Sequence, residues 1–195
     1  MAESAVTDQE LLWQLNKGKE TAFTALYGRY QGPLYRFALH MSGNTATAEE
    51  VTQEVFMLLI RNPKGYEADK GPIGGYLFGI ARNLTRRVLQ RSRLDIPIEE
   101  EWLDTGDAGF TSELDVLSDL SNAELLEYLR KAVLALPEQY REVIALCDLE
   151  EMSYGDAAAL LECSPGTVAS RLHRARAMLK TRLLKSRLSN QKCVK

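Results

Sequence analysis

Residues 164–180, SPGTVASRLHRARAMLK, have the pattern of a helix with two unlike faces. Ser164 is suited to cap the N-terminus and Pro165 to fill the first helical position. At about 100° per residue, the apolar side chains form one narrow stripe: Val168, Leu172, Ala175 and Leu179. The other side and its flanks carry small polar residues and arginines, with no acid: Thr167, Ser170, Arg171, Arg174 and Arg176. A helix of this kind is suited to the major groove of DNA.

A shorter helix is predicted just before this one. Ser153 followed by Asp156 resembles a capping box, and an apolar run follows it: Ala157, Ala158, Leu160 and Leu161. Glu162 and Cys163 make a tight connection, so the pair has the pattern of a helix-turn-helix. The alternative is a helical hairpin whose arginines are only solvated. An acid-free face in an acidic protein favours DNA binding.

The charge of the chain is divided into three blocks. Overall, 24 Lys and Arg stand against 27 Asp and Glu, which argues against a general nucleic-acid binder. Residues 1–93 nevertheless carry 12 basic and nine acidic residues, residues 123–195 carry the same numbers, and residues 94–122 carry nine acids without Lys or Arg. We therefore predict two small helical domains, 1–93 and 123–195. They are joined by a flexible acidic linker, 94–122, with a short helix near residues 114–120.

The N-terminal block is predicted to consist of helices. Thr7 is suited to cap a first helix that ends at Gly18, and a second begins near Thr21 and is interrupted or restarted at Gly32-Pro33. A third opens at Thr47, with an inward stripe of Val51, Val55, Leu58 and Leu59. Off that stripe lie Glu49, Glu50, Gln53 and Glu54, which form either a solvated face or a docking face for a basic partner.

A Gly- and Pro-rich segment, residues 62–75, is predicted to be a loop that carries Lys64 and Tyr66. A helix follows over residues 76–93. Its polar residues include no acid: Arg82, Asn83, Arg86, Arg87, Arg91 and Arg93. A basic helix behind an aromatic loop suits single-stranded nucleic acid, because cations follow the phosphates while unstacked bases lie against side chains. The alternative is a basic face exposed only to solvent.

The C-terminal block is also predicted to be helical. Asn122 caps a helix over 123–134, Pro137 starts the next, and a frayed basic tail follows Lys180. No strand pattern is present, so the predicted fold class is all-α.

Enzyme chemistry is not indicated. No phosphate loop, nucleophile elbow or Cys/His metal cluster occurs, and the carboxylates are expected in the linker or on exposed faces. Three cysteines lack metal spacing, and Cys147 and Cys163 are expected to be buried thiols. No signal peptide or membrane-length apolar run is found, so a soluble cytoplasmic protein without metal or cofactor is expected.

The motifs, in this order, resemble a bacterial RNA polymerase sigma factor of the extracytoplasmic-function (ECF) type, group IV of the sigma-70 family. Residues 48–56 (AEEVTQEVF) resemble the polymerase-docking helix of sigma region 2, and residues 76–83 (YLFGIARN) its promoter-melting helix. The region 4 resemblance lies in residues 136–141 (LPEQYR), 152–158 (MSYGDAA) and 166–176 (GTVASRLHRAR). Taken together, the region 2 and region 4 resemblances cover nearly all of the chain outside the linker, as expected of the minimal two-domain members.

The resemblance implies a transcription initiation factor that binds core RNA polymerase, directs it to promoters and assists melting. The polymerase would be contacted by Glu50, Gln53 and Glu54. The non-template single strand of the minus-ten element would be held by Lys64, Tyr66, Arg82, Asn83, Arg86, Arg87 and Arg91. The minus-thirty-five duplex would be contacted by Thr167, Ser170, Arg171, Arg174 and Arg176. An anti-sigma factor is expected as well, because one inhibitor could cover both basic faces.

Three positions depart from the family pattern: Thr52 replaces an aliphatic residue, Tyr76 a tryptophan and Ala169 a basic residue. The loss of a charge at Ala169 is expected to weaken duplex binding. The alternative function is a conventional helix-turn-helix regulator that binds duplex DNA alone. Such a regulator has no use for the basic helix over 76–93 and its loop.

Overall fold

The computed structural model describes residues 6–67, 71–93 and 122–190. Its helices are α1 (Asp8–Asn16), α2 (Glu20–Ser42), α3 (Thr45–Arg61), α4 (Ile73–Arg93), α5 (Asn122–Leu134), α6 (Glu138–Val143), a π-helical segment (Ile144–Leu149), α7 (Tyr154–Leu160) and α8 (Pro165–Asn190). Every regular element in the described residues is helical, which confirms the all-α class. The predicted linker, with its short helix, lies outside these residues except at Asn122.

Helix α1 begins at a side-chain cap, and helix α2 is stabilised by a stripe of buried side chains. The Thr7 hydroxyl accepts the Glu10 N–H at 3.3 Å, as predicted. Helix α2 runs unbroken through Pro33, so the predicted interruption there is wrong. Leu26 and Leu34, on either side of the proline, are both fully buried in one core. Burial of the whole stripe therefore outweighs the backbone hydrogen bond that proline removes.

Two other helices begin earlier than predicted. Helix α3 starts at Thr45 instead of Thr47, because the Asn44 side chain accepts the Thr47 N–H at 2.9 Å and caps the helix. Helix α4 starts at Ile73 instead of Tyr76. Ile73 is buried, and a Cβ on Gly74 would lie 3.4 Å from the Tyr30 ring. The glycine thus allows the first turn of α4 to approach α2 closely.

The C-terminal block contains a π-helical segment that was not predicted. The N–H of Glu150 bonds to the carbonyl of Ala145, five residues earlier, at 3.1 Å. Helix α8 continues to Asn190, so the predicted frayed tail after Lys180 is helical that far. The Tyr128 hydroxyl of α5 donates to the Arg182 carbonyl at 3.0 Å.

Cys147 and Cys163 are half-buried, less enclosed than expected.

The two blocks pack against each other through α2. Arg141 donates to the Met41 carbonyl at 2.7 Å, and Arg36 makes a bidentate bond to Glu150 at 2.9 and 2.7 Å. The buried apolar residues of both blocks form one continuous cluster. Their relative orientation, which the sequence leaves open, is therefore set by direct contacts between the blocks.

Gly43 offers a test of this packing. Its φ is +70°, and an added Cβ would lie 2.9 Å from Leu134 Cδ1 of α5. Gly18 has a φ of +78° with nothing within 4 Å of such a Cβ. We expect Gly18→Ala to cost about 1–2 kcal/mol from left-handed strain alone. Gly43→Ala should cost about 1 kcal/mol more, through overpacking. Urea unfolding measures both, and equal losses would contradict the contact between blocks.

Candidate nucleic-acid interface

Helices α7 and α8 form the predicted helix-turn-helix. The Ser153 hydroxyl accepts the Asp156 N–H at 3.1 Å, and the Ser164 hydroxyl accepts the Thr167 N–H at 3.0 Å, which confirms both caps. Glu162, with a φ of 54°, reverses the chain between the helices. The inward stripe of α8 is buried at Val168, Leu172 and Ala175, while Leu179 is half-buried. The opposite face of α8 is thereby turned outward.

The polar residues on the outward face of α8 differ in their exposure and in their hydrogen bonding. Ser170 and Arg174 are exposed, whereas Thr167 and Arg171 are partly buried. The hydroxyls of Thr167 and Ser164 lie 2.9 Å apart within hydrogen-bonding distance. Arg176 is held by Asp148 through two bonds of 3.0 and 2.6 Å, and this bonding raises the pKa of its guanidinium. Arg176 is therefore anchored to the π-helical segment, and Arg174 is the more available cation.

The polar residues of α4 form two separate stripes. Asn83, Arg87 and Arg91 recur every fourth residue and are exposed. Arg82 and Arg86, also four residues apart, face α6 of the C-terminal block instead. Arg82 Nε lies 2.7 Å from Glu142 Oε1, and Arg86 Nε lies 2.7 Å from Glu138 Oε1. The first stripe is thus fully turned to the solvent, whereas Arg82 is largely buried and Arg86, 40% exposed, is paired at the edge of α6.

Two buried glutamates contradict the expectation that the carboxylates outside the linker lie on exposed faces. The side chains of Glu142 and Glu150 are only 5% and 2% exposed. Burial raises the pKa of the Glu150 carboxyl, and the bond to Arg36 opposes this shift. The same region half-buries His40, whose Nδ1 has no hydrogen-bond partner among the described residues. Burial, reinforced by the charges of Arg130 and Arg36, lowers the pKa of His40 below its ordinary value of 6.5.

The loop before α4 forms an aromatic cleft of about 340 Å³, here called the tyrosine cleft. The rings of Tyr66 and Tyr76 lie 5.8 Å apart at 61°, and the Tyr66 hydroxyl donates to the Gly71 carbonyl at 2.7 Å. Lys64 is exposed beside it. On the far side, α7 contributes three lining residues: Asp156, Ala159 and Leu160. The cleft can hold a flat ring, but a helix of the other block closes one wall.

The acidic face of α3 is exposed at Glu50 and Gln53, while Glu54 is half-buried with its carboxylate 3.7 Å from Arg61. Beside it lies a groove of about 640 Å³, here called the α2–α3 groove. Its apolar lining is Phe23, Tyr27, Tyr35, Phe56, Met57 and Ile60. The sequence prediction missed this groove. The available signal was Met57 and Ile60, which are apolar yet lie off the buried stripe of α3.

Thr52, a departure from the family pattern, is satisfied within α3. It is 8% exposed, and its hydroxyl donates to the Ala48 carbonyl at 2.7 Å. No group of three or more His, Cys, Asp or Glu in the described ranges is placed to hold a metal ion. No helix in the described part of the chain combines the length and apolar character needed to cross a bilayer.

Two family models match the chain. Residues 26–94 match sigma-70 region 2, and residues 126–179 match sigma-70 region 4. The ECF RNA polymerase sigma-E factor of Escherichia coli K12 is 32% identical over 183 residues, which cover 88% of this chain and 91% of that protein. The chain belongs to the ECF RNA polymerase sigma factors.

Two solved structures share the fold of this sigma factor. CnrH, solved in complex with the cytosolic domain of CnrY, has a TM-score of 0.67 and 26% identity, covering 92% of this chain and 97% of CnrH. RpoE of Bartonella quintana, solved with the anti-sigma factor NepR, has a TM-score of 0.60 and 26% identity, covering 83% of this chain and 96% of RpoE. The sigma-factor resemblance is therefore confirmed.

As an ECF sigma factor, the protein is a transcription initiation factor that binds core RNA polymerase, directs it to promoters and assists melting. Helices α3 and α4 and the tyrosines of the tyrosine cleft lie within the region 2 match, whereas α7, which forms the far wall of the cleft, and the N-terminal part of α8 lie within the region 4 match. The alternative of a conventional helix-turn-helix regulator is not favoured, because it does not account for region 2.

The buried position of His40 generates a pH prediction. Since its pKa is lowered only in the folded chain, stability present above the ordinary pKa is lost as the pH falls through that value. We expect His40→Gln, which does not titrate, to flatten the loss of stability between about pH 7 and pH 5. Urea unfolding at several pH values measures this. Glu150 titrates with the opposite sign, but it is present in both proteins and cancels in the difference. Parallel profiles would contradict the burial of His40.

Proposed function

We propose that this sigma factor divides promoter recognition between two basic helices. Residues 1–93 form a domain for polymerase docking and minus-ten melting, and residues 123–195 form a domain for the minus-thirty-five duplex, with 94–122 as linker. The observation that carries the proposal is the charge of α4 and α8: neither helix contains an Asp or Glu, although the chain as a whole is acidic. Such faces attract phosphate backbones.

The upstream duplex is assigned to the N-terminal half of α8. Arg174 and Ser170 are exposed there, and Thr167 and Arg171 flank them. Arg176, steadied by Asp148, is suited to a phosphate at the edge of the groove. Ala169 is exposed and offers no charge, so binding to the upstream duplex is expected to be modest. Polymerase compensates by holding both domains near their DNA at high effective concentration.

Minus-ten capture is assigned to the tyrosine cleft and α4. An unstacked base can lie against Tyr66 or Tyr76, while Lys64 and the arginines follow the phosphates. The exposed stripe of Asn83, Arg87 and Arg91 supports this assignment. Arg82 and Arg86 join it when they are released from their glutamates.

Polymerase docking is assigned to α3 and the α2–α3 groove. Glu50, Gln53 and Glu54 present acidic and amide groups beside exposed Met57 and Ile60. A partner helix with basic residues along one edge of an apolar face matches this surface. We also assign an anti-sigma factor as a partner, as RpoE binds NepR. The protein acts in the cytoplasm, without catalytic activity of its own.

Run-off transcription with purified core polymerase tests the proposal. Specific initiation at genomic promoters that depends on this protein is the expected outcome. A protein that binds duplex DNA alone with promoter-like selectivity but supports no initiation would instead be a conventional regulator.

One prediction of the proposed function concerns the upstream duplex. Arg174→Ala should weaken binding of the upstream box by about 1–3 kcal/mol if the guanidinium reads a base edge. Lys19→Ala, in the exposed turn before α2, removes one charge away from both assigned surfaces and is the matched control. Fluorescence anisotropy with upstream duplex measures both. Equal effects from the two variants would place Arg174 outside the groove.

Another prediction of the proposed function concerns melting. Asn83→Ala should lower open-complex formation by the holoenzyme more than it lowers initial duplex binding, because its amide acts only on exposed bases. Gln9→Ala, in α1, removes a comparable exposed amide and is the control. Permanganate reactivity of thymines reports opening, and a mobility-shift assay reports binding. Parallel losses in both assays would count against base capture.

A further inference from the structure

The contact between Asp148 and Arg176 joins the π-helical segment to one flank of α8. Arg176 Nε donates to Asp148 Oδ2 at 3.0 Å, and Arg176 Nη2 donates to Asp148 Oδ1 at 2.6 Å. The side chains of Arg176 and Asp148 remain 47% and 26% exposed. The guanidinium is therefore held in one orientation at the protein surface, where a ligand can still reach it.

The π-helical turns determine where Asp148 lies. The Glu150 N–H bonds to the Ala145 carbonyl at 3.1 Å, and the Met152 N–H bonds to the Leu146 carbonyl, six residues earlier, at 2.9 Å. These turns are wider than those of an α-helix, and such turns frequently occur at functional sites. The first three residues of the segment are buried. Asp148 follows them, so the buried part of the segment fixes the backbone from which its carboxylate meets Arg176.

The pair leaves part of the guanidinium available for a second partner. An arginine has five N–H donors in a planar fork. Asp148 occupies the edge formed by Nε and Nη2, so the donors of Nη1 lie on the other edge. The bond to Asp148 and, to a smaller extent, the hydroxyl of the exposed Tyr154 raise the pKa of the Arg176 guanidinium. The charged outer edge can therefore donate to a phosphate while the inner edge stays bonded.

A carboxylate beside a DNA-binding cation has two opposite effects on affinity. It repels phosphates, which weakens binding, although salt screens this repulsion between exposed groups. When it bonds to the cation, it also orders the arginine side chain in the free protein, and less entropy is then lost on binding. A solvated carboxylate has only the first effect, whereas the two bonds of Asp148 add the second. The sign of the change in affinity when the carboxylate is removed separates the two cases.

We infer that Asp148 is a positioning residue for DNA binding: it orders Arg176 so that the outer edge of the guanidinium meets a phosphate beside α8. This inference rests on the proposed contact of α8 with the upstream duplex, and it names a residue of the π-helical segment that supports that contact. Asp148 does not touch the DNA itself. Because a phosphate carries no sequence information, the pair adds affinity without altering the preferred base sequence.

The test uses holoenzyme reconstituted with core polymerase and a labelled promoter fragment that supports initiation in the run-off assay. Asp148→Asn should weaken binding about two- to tenfold, because Arg176 must then be ordered at the moment of binding. Glu151→Gln removes an exposed carboxylate three residues further along the chain and is the matched control, with unchanged or slightly tighter binding expected. Tighter binding by Asp148→Asn, which is the result for a carboxylate that only repels DNA, would overturn the inference.

A double-substitution cycle separates positioning from a purely structural role. Arg176→Ala should lower the slope of log K against log salt concentration by about one, whereas Asp148→Asn should leave the slope unchanged because the cation remains. Adding Asp148→Asn to Arg176→Ala should weaken binding no further. Further weakening in that background would show that Asp148 acts on the fold of the domain and would overturn the inference.

Arg176→Lys keeps the test decisive if Asp148→Asn fails to fold, as judged by circular dichroism. Lysine retains the charge but cannot make the two-pronged bond to Asp148. It should weaken binding about as much as Asp148→Asn, and unchanged binding would overturn the inference. Each contrary result leaves initiation by the wild-type holoenzyme intact, whereas failure of the wild-type holoenzyme to initiate would overturn the proposed function instead.

Discussion

The bidentate contact between Arg82 and Glu142 is the constraint on which the arrangement of the two blocks depends. A buried ion pair adds little net stability relative to apolar residues, but losing one partner costs about 3–5 kcal/mol. The pair therefore mainly destabilises other registers of the C-terminal block on α4, in which one charge would be buried alone. Arg86 and Glu138 repeat the match one turn away. The free-energy cost of burying an unpaired charge in any other register thus fixes the position of the C-terminal block on α4.

The contact between the blocks combines a shared apolar cluster with ion pairs and hydrogen bonds. Arg36, Arg82 and Arg141 each bond across it, and these groups can exchange their partners for water or phosphate. An interface made only of buried apolar side chains would have no such alternative partner. In the proposed function, a nucleic-acid backbone would compete with Glu142 for the guanidinium of Arg82, since phosphate and carboxylate oxygens accept the same bonds.

Local chemistry could be predicted from the sequence, and long-range contacts could not. Caps at Thr7, Ser153 and Ser164 were predicted because a side chain three residues from an amide N–H is a local relation. Pro33 was misjudged because burial along the whole of α2 overrides a local breaker. The Arg82–Glu142 pair joins residues 60 positions apart, so no periodicity in either helix indicates it. The positions of the basic residues were therefore predictable, but their partners were not.

The division of α4 into two stripes distinguishes the side chains to which the proposed function assigns the non-template strand. Asn83, Arg87 and Arg91 are exposed, as are Ser170 and Arg174 on α8. Arg82 and Arg86 are instead paired with Glu142 and Glu138. Under the proposed function, the exposed stripe can follow the phosphates of a strand directly, because its cations need not exchange a carboxylate first. A strand that also uses Arg82 must replace Glu142 there, since phosphate and carboxylate oxygens accept the same bonds.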